Sequence, residues 1–228
     1  MTASARPMNT TSELPRTSRL SFILFYGVMA VALIAVSIAL GYWLGARNTA
    51  PGEGSADVGF ARDMITHHAQ AVGMATIIRD RTNDPEIRQL ALDIMLTQQA
   101  QIGQMQGWLT VWGQPLASTD PAMAWMGMPT TGPMPGMATP DDLNTLRGLT
   151  SADAEGLFLQ LMIAHHRGGV VMAQAALESA RTPEARALAQ SILNAQTSEI
   201  EAMQMLLQQK GFSAVPEEPG MSHGTAMP

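Results

Sequence analysis

The 228-residue sequence contains no cysteine, which excludes disulfides, thiolate metal sites and cysteine nucleophiles. Basic residues are also few, because 13 Lys and Arg stand against 19 Asp and Glu, for a formal net charge of −6. An acidic surface disfavours binding to nucleic acid and to anionic lipid headgroups. In contrast, the chain has 18 Met and 5 His. Thioethers and imidazoles are therefore the side chains available to bind a soft metal ion.

Residues 20–45 carry no charged side chain. A helix of about 25 residues is long enough to cross the roughly 30 Å apolar core of a bilayer. Because Arg6, Arg16 and Arg19 precede this segment, we expect residues 1–19 to be cytoplasmic and residues 46–228 to be periplasmic or extracellular. A cleavable signal peptide is the alternative, although its apolar segment is usually only about 7–15 residues long. The sequence favours a retained single-pass anchor in the cell membrane, followed by a linker at 46–55.

The rest of the chain contains an internal repeat with an offset of 98 residues. The segment MITHH at 64–68 returns as MIAHH at 162–166. The same offset relates further identical pairs without a gap: Phe60 and Phe158, Met74 and Met172, Pro85 and Pro183, Met105 and Met203, Gly113 and Gly211. So many matches at one offset indicate a duplication.

Each copy predicts a helical hairpin, over residues 56–113 and 154–211. Pro85 and Pro183 are typical of a first helical turn, and Gly113 and Gly211 stand where helices end. Apolar residues recur at the 3–4 spacing of bundle helices. We predict an all-α four-helix bundle over 56–212, in which the first helices of the two hairpins run parallel. A Met/Pro-rich linker at 114–140 joins the repeats, and residues 213–228 are expected to form a disordered tail.

The histidine pairs fall on the apolar face of the predicted helices. At 100° per residue, both members of each pair lie within the stripe formed by Met64, Ala71 and their equivalents. Each pair also lies at the same distance from the start of its helix, which places the two pairs at one level of the bundle. We predict that these faces supply the metal ligands Met64, His67, His68, Met74, Met162, His165, His166 and Met172.

A polar layer is expected around the histidines, because Gln98, Gln101, Gln196 and Glu199 fall on the facing stripe of the second helices. A buried polar group without a partner costs about 1–3 kcal/mol, so these groups need each other or a ligand. A layer of this kind can also serve only to fix helix register. The alternative interpretation is thus a structural or protein-interaction bundle that binds no metal.

At these residues the chain resembles a known family. The pattern F-x3-M-I-x-H-H-x5-M-A, followed by Q-x2-[EQ]-I-x2-M, is similar to the domain of unknown function 305 family over about residues 56–212. The resemblance implies a ferritin-like four-helix bundle, and some members of the family are extracytoplasmic copper-binding proteins. This sequence departs from the pattern at Thr66 and Ala164, where proline is frequent, and at Gln101, where glutamate is usual. Glu199 is then the one carboxylate at that level.

The linker contains five methionines among Pro, Gly and Thr residues. Thioethers bind Cu(I) without competition from protons, so Met123, Met126 and Met128 are further candidate ligands. The alternative is that the linker packs over one end of the bundle as a hydrophobic lid. The remaining candidate ligands are Glu199, Met203 and His223 of the tail.

These features predict a membrane-anchored extracytoplasmic protein that binds, sequesters or transfers copper, as Cu(I) or Cu(II), in copper homeostasis. The expected partners are the metal ion, the membrane through the N-terminal helix, and either a second copy or a copper-donor or copper-acceptor protein. No enzyme is expected, since the Glu-x-x-His motif of di-iron bundles is absent. A Cu(I)-oxidising activity is the enzymatic alternative. Because imidazole binds metal when neutral, we expect affinity at the histidines to fall as the pH drops through about 6.5.

Overall fold

The computed structural model describes residues 16–47, 50–213 and 215. Its elements are α1 (Arg16–Arg47), α2 (Ala56–Arg81), α3 (Pro85–Val111), a 3-10 turn (Ala124–Met126), α4 (Pro140–Gly148), α5 (Ser151–Ser179) and α6 (Pro183–Gln209). The part of the chain that is described contains no β-strand, so the predicted all-α fold is confirmed. The first 15 residues and the predicted tail with His223 lie outside the described residues, apart from Ser213 and Val215.

The helix α1 belongs to a compact unit of its own, and residues from Ala50 onward form a second unit. Within α1, the segment Leu20–Trp43 has 24 residues and none of it is buried. At 1.5 Å per residue it is about 36 Å long, which exceeds the thickness of a bilayer core. An apolar helix near the N-terminus fits both a membrane anchor and a signal peptide.

The bundle helices begin and end at residues with clear capping roles. The Asp84 carboxylate accepts hydrogen bonds from the backbone N–H groups of Glu86 and Ile87, and the Thr182 hydroxyl accepts one from Ala185. Each cap is followed by a proline at the first helical position, which lacks the N–H group that would otherwise be unpaired there. Local sequence thus fixes where α3 and α6 start.

The helices α2 and α5 run antiparallel. Asp57, at the start of α2, accepts hydrogen bonds from the backbone N–H (2.8 Å) and the hydroxyl (2.7 Å) of Thr182, just beyond the end of α5. At the other end of α2, the Thr82 hydroxyl donates to the Glu155 carboxylate, near the start of α5. The predicted parallel arrangement is therefore wrong. Asp57 and Glu155 are equivalent positions of the repeat, and each contacts the turn of the other hairpin, so an approximate two-fold axis relates the hairpins.

The core consists of two apolar groups that lie on either side of the histidines along each helix. One group joins residues 58–64 of α2 to residues 172–176 of α5. The other joins residues 71–78 of α2 to residues 154–163 of α5. Both groups also contain apolar side chains of α3 and α6. Burial of one large apolar side chain contributes about 1.5–3 kcal/mol, so these two groups hold the hairpins together and position the layer between them.

Candidate metal centre

The four histidines of the repeats meet at the middle of the bundle. His67, His68, His165 and His166 are all fully buried. The rings of His67 and His165 stack with their centroids 3.7 Å apart, and each ring lies 6.4 Å or 6.2 Å from that of its neighbour in sequence. The two pairs are thus at one level, as predicted, although the reason is different. Each pair lies near the centre of its helix, and antiparallel helices that cross there bring their centres together.

Hydrogen bonds fix the tautomer of three of these rings. The Nε2 atom of His68 lies 2.7 Å from Oε1 of Gln101, and that of His166 lies 2.6 Å from Oε2 of Glu199. The Nε2 atom of His165 lies 2.8 Å from the backbone oxygen of His67. All three partners are acceptors, so Nε2 carries the proton and donates. The Nδ1 atom of each ring is left with its lone pair, which is the form in which imidazole binds a metal.

Several polar atoms of this layer are buried without a hydrogen-bond partner. They include Nδ1 of all four histidines and both side-chain amide atoms of Gln98 and of Gln196. Nε2 of His67 is near the Pro135 carbonyl but does not meet hydrogen-bond geometry. In a layer that only fixes register, these groups would pair with one another. Each unpaired group costs about 1–3 kcal/mol of stability. The layer therefore keeps atoms that are able to bind a ligand at a cost in the stability of the fold.

Burial favours the neutral form of His67, His68 and His165. It lowers the pKa of His67 and of His68 to about 3, chiefly because a charged ring would lose its hydration, and nearby imidazoles add to the effect. The pKa of His165 is lowered well below its usual value for the same reasons. These rings therefore stay in the metal-binding form at pH values far below 6.5. The expected loss of affinity near pH 6.5, which assumed ordinary histidines, moves to lower pH.

The predicted methionine ligands are fully buried and fall into two groups. Met64 lies with Met172 in one core group, and Met74 lies with Met162 in the other, so each group combines both repeats. Met105 joins the first group and its repeat equivalent Met203 joins the second. The duplication therefore builds two equivalent sets of three thioethers, one on each side of the histidine layer.

The linker methionines are not equivalent to one another. Met123 and Met134 are buried in the core group of Met64, Met126 packs against that group, and Met128 is 52% exposed. The linker adds thioethers to only one of the two sets. It also runs alongside the histidine layer and not solely over one end of the bundle, because the Gln70 side chain hydrogen-bonds both the N–H and the carbonyl of Ala138.

Two features that hold the linker were not anticipated from the sequence. The Asp63 carboxylate accepts hydrogen bonds from the Met123 N–H (2.7 Å) and from Nε1 of Trp125 (2.8 Å). Met123 has a positive φ of 63°, which is rare outside glycine, and this contact helps to hold it there. The signal in the sequence was that the repeat equivalent of Asp63 is Leu161, so the carboxylate serves the linker and not the duplicated bundle.

The second feature is the close approach of the linker backbone to α5. A Cβ atom on Gly168 would lie 2.0 Å from the Pro135 carbonyl oxygen and 3.2 Å from Nε2 of His67. A Cβ on Gly136, where φ is +77°, would lie 2.2 Å from the Ala164 carbonyl oxygen. Glycine is required at both positions, and the linker backbone thereby reaches the edge of the histidine layer.

The arrangement limits which side chains could hold a metal ion. Among the residues that the structure describes, no group of three or more His, Asp or Glu side chains is placed to do so. Buried thioethers lie on either side of the imidazoles, and soft sulfur ligands favour Cu(I). Met203 is buried in the second methionine set, and Glu199 contacts the far nitrogen of His166. The ligand roles assigned to the residues of this layer remain predictions.

A family model described as Domain of unknown function (DUF305) matches residues 57–207, which span both repeats. The chain belongs to the DUF305 family. The predicted resemblance is confirmed, and the match includes all four buried histidines and the two sets of three methionines. The N-terminal helix lies outside it.

Solved structures of DUF305 proteins and of CopM share this fold. A DUF305 protein from Streptomyces coelicolor is 47% identical with a TM-score of 0.70, over 73% of this chain and 100% of that one. CopM in the Cu(II)-bound form is 29% identical with a TM-score of 0.55, over 67% of this chain and 96% of that one. In the Cu(I)-bound form CopM is 25% identical with a TM-score of 0.51, over the same shares.

A curated relative matches a shorter stretch of this chain. Uncharacterized protein L153 of Acanthamoeba polyphaga mimivirus is 45% identical over 49 residues, which are 22% of this chain and 32% of that protein. The match thus spans about a third of that relative's length.

Proposed function

We propose that this DUF305 chain binds copper ions through the buried histidine layer and the methionine sets beside it, and that it sequesters or transfers copper outside the cytoplasm. The observation that carries the proposal is the group of four buried histidines whose Nδ1 atoms have no hydrogen-bond partner. Three of them donate Nε2–H to an oxygen acceptor. In metal-binding histidines, the ring nitrogen that does not bind the metal usually makes a hydrogen bond of this kind.

The proposal assigns the ligand role to imidazole Nδ1 and thioether sulfur. Nδ1 of His68 and of His166 has no hydrogen-bond partner, and each ring neighbours one member of the stacked His67 and His165 pair. The methionine sets lie on either side of this layer. The absence of cysteine leaves these as the soft ligands of the chain. Similarity to CopM, which has been solved with Cu(I) and with Cu(II), supports copper as the ion.

The proposal includes a location. The segment at 20–45 would be a retained anchor, with residues 1–19 cytoplasmic, 46–55 a linker and the bundle extracytoplasmic. The length and apolar character of Leu20–Trp43 support this arrangement. Fractionation tests it, since a soluble mature chain that begins near residue 46–50 would show that the segment is cleaved.

Titration of the full-length chain in detergent with Cu(I), Cu(II) and Zn(II) tests the binding function. We expect copper to bind stoichiometrically and to raise the unfolding temperature, since a ligand at 100 times its Kd adds about 2.7 kcal/mol of stability. A His68→Ala/His166→Ala variant should lose bundle copper, whereas a Met123→Leu/Met126→Leu/Met128→Leu variant should retain it. Full stoichiometry in a folded His variant would favour a purely structural layer. Continued oxygen consumption with bound Cu(I) would favour the enzymatic alternative.

A further inference from the structure

One pair of equivalent contacts in the histidine layer differs in charge between the two halves. His68 donates Nε2–H to the amide oxygen of Gln101, and His166 donates Nε2–H to the carboxylate of Glu199. Gln101 and Glu199 are equivalent positions of the repeat, 98 residues apart. The two side chains have almost the same shape, and the distances, 2.7 Å and 2.6 Å, are nearly equal. At this contact the two halves therefore differ in the charge of the side chain that accepts the Nε2 proton.

That charge changes the donor strength of the far ring nitrogen. A carboxylate that accepts the Nε2 proton pushes electron density toward Nδ1 and so makes it a better ligand, whereas a neutral amide does this less. The His166 ring is fully buried and the Glu199 side chain is only 25% exposed, so solvent screens the effect little at the ring.

We propose that the two halves of the layer bind copper unequally, with Nδ1 of His166 providing the tighter Cu(II) site and Nδ1 of His68 the weaker one. This inference rests on the proposed function. Glu199 acts through His166 and is a positioning residue, because Oε2 contacts Nε2 and the proposed ligand atom is Nδ1. A doubly charged ion gains more from the added electron density than a singly charged one. The half with Gln101 therefore discriminates less between Cu(II) and the univalent ions Cu(I) and Ag(I).

The methionines do not produce the same division. Each set of three thioethers takes members from both repeats, and the linker adds Met123 and Met134 to the set of Met64 and Met172. Any effect of the linker methionines on copper affinity would therefore be unchanged when the residues at positions 101 and 199 are exchanged. The exchange thus separates the effect of the carboxylate from the effect of the linker methionines.

The experiment is a Cu(II) titration of the full-length chain and three near-isosteric variants, Glu199→Gln, Gln101→Glu and the double exchange. We expect two affinity classes in the natural chain that differ by about 10–100-fold, the usual effect of losing an outer carboxylate partner. Glu199→Gln should leave two weak sites and Gln101→Glu two tight ones. The double exchange should restore two classes, with the tight one now at His68. Ag(I) affinities should change far less across the series.

A second measurement shows which histidine forms the tight site. At one equivalent of Cu(II), the electron paramagnetic resonance spectrum should change in Glu199→Gln, and it should change more in His166→Ala than in His68→Ala. Urea unfolding of the metal-free variants checks that each is folded. Equal affinities in the natural chain, an unchanged first site in Glu199→Gln, or loss of the first site in His68→Ala would each overturn the inference while leaving copper binding intact. If the natural chain bound no copper, the proposed function would fail as well.

Discussion

His67 and His165, which are equivalent residues of the two repeats, stack face to face with their ring centroids 3.7 Å apart. Two charged imidazoles at this distance would repel each other inside a region that water does not reach. The contact therefore excludes a state with both rings charged, and the lowered pKa values of both favour two neutral rings. Protonation of both rings would disfavour this contact at the centre of the bundle.

The stability of the metal-free protein should depend on pH between about 6.5 and 3. In this range the unfolded chain protonates His67 and His68 while the folded chain does not, since burial lowers the pKa of each from 6.5 to about 3. Stability should be complete above pH 6.5 and should fall by about 1.4 kcal/mol per pH unit for each such histidine as the pH drops. Urea unfolding at pH 8, 6.5 and 5 measures the slope.

A His67→Phe variant provides the comparison. It keeps an aromatic ring in the stack and removes one titrating group, so its slope should be shallower by about 1.4 kcal/mol per pH unit. An identical slope in both proteins would show that His67 is not the group responsible.

Replacing Asp63 with Ala should release the part of the linker around Met123 and Trp125 from α2. The change removes the acceptor for the Met123 N–H and for Nε1 of Trp125, and hydrogen bonds to a charged group contribute about 1.5–3 kcal/mol. We expect faster proteolysis of the linker and greater exposure of Trp125 in fluorescence quenching. Asp120→Ala, which removes an exposed carboxylate of the same linker, is the matched control and should have little effect.

Two helical glycines should respond in opposite ways to alanine. Gly168→Ala would place Cβ 2.0 Å from the Pro135 carbonyl oxygen, and because backbone cannot yield as a side chain can, the linker must move away. Gly73→Ala meets nothing within 4 Å and should stabilise α2 by about 0.5–1 kcal/mol through helix propensity. Thermal unfolding of both variants measures the difference. If Gly168→Ala were as stable as Gly73→Ala, the linker would not contact α5 as described.

Replacing Met64 and Met172 with Leu should separate packing from metal binding. Leucine has a similar volume, so each substitution should cost less than about 1.5 kcal/mol in the metal-free protein. Cu(I) affinity, measured against a competing chelator, should nevertheless fall because two thioethers of one set are lost. Met205→Leu, at an exposed position of α6, should change neither quantity. Unchanged Cu(I) affinity would assign Met64 and Met172 to the core alone.

Much of the fold was predictable because its signals are local. The proline and glycine positions at the ends of α3 and α6 and the 3–4 apolar spacing are read directly from neighbouring residues. The direction of α2 relative to α5 was not, since both directions bury the same stripe. The deciding contacts, Asp57 with Thr182 and Glu155 with Thr82, join residues far apart in the sequence.

The candidate site was predictable to a similar degree. The angular position of each histidine and methionine on its helix followed from sequence, and all eight side chains are buried. The grouping of Met64 with Met172 did not follow, because it depends on the antiparallel crossing. From the sequence, His68 and Gln101 could be placed only at a similar level of the bundle, and their hydrogen bond is seen in the structure. The structure was also needed to show that the Nδ1 atoms have no hydrogen-bond partner.

The reciprocal contacts of Asp57 and Glu155 also bear on assembly. A lone hairpin of this kind would expose its apolar face and leave its carboxylate without the turn that it caps, so it would have to associate with a second copy. Joining both hairpins in one chain replaces that concentration-dependent step with an intramolecular one, and folding becomes independent of dilution. A symmetric dimer would also be forced to carry the same residue twice. The fused chain is free of that constraint, and it holds an amide at position 101 and a carboxylate at position 199.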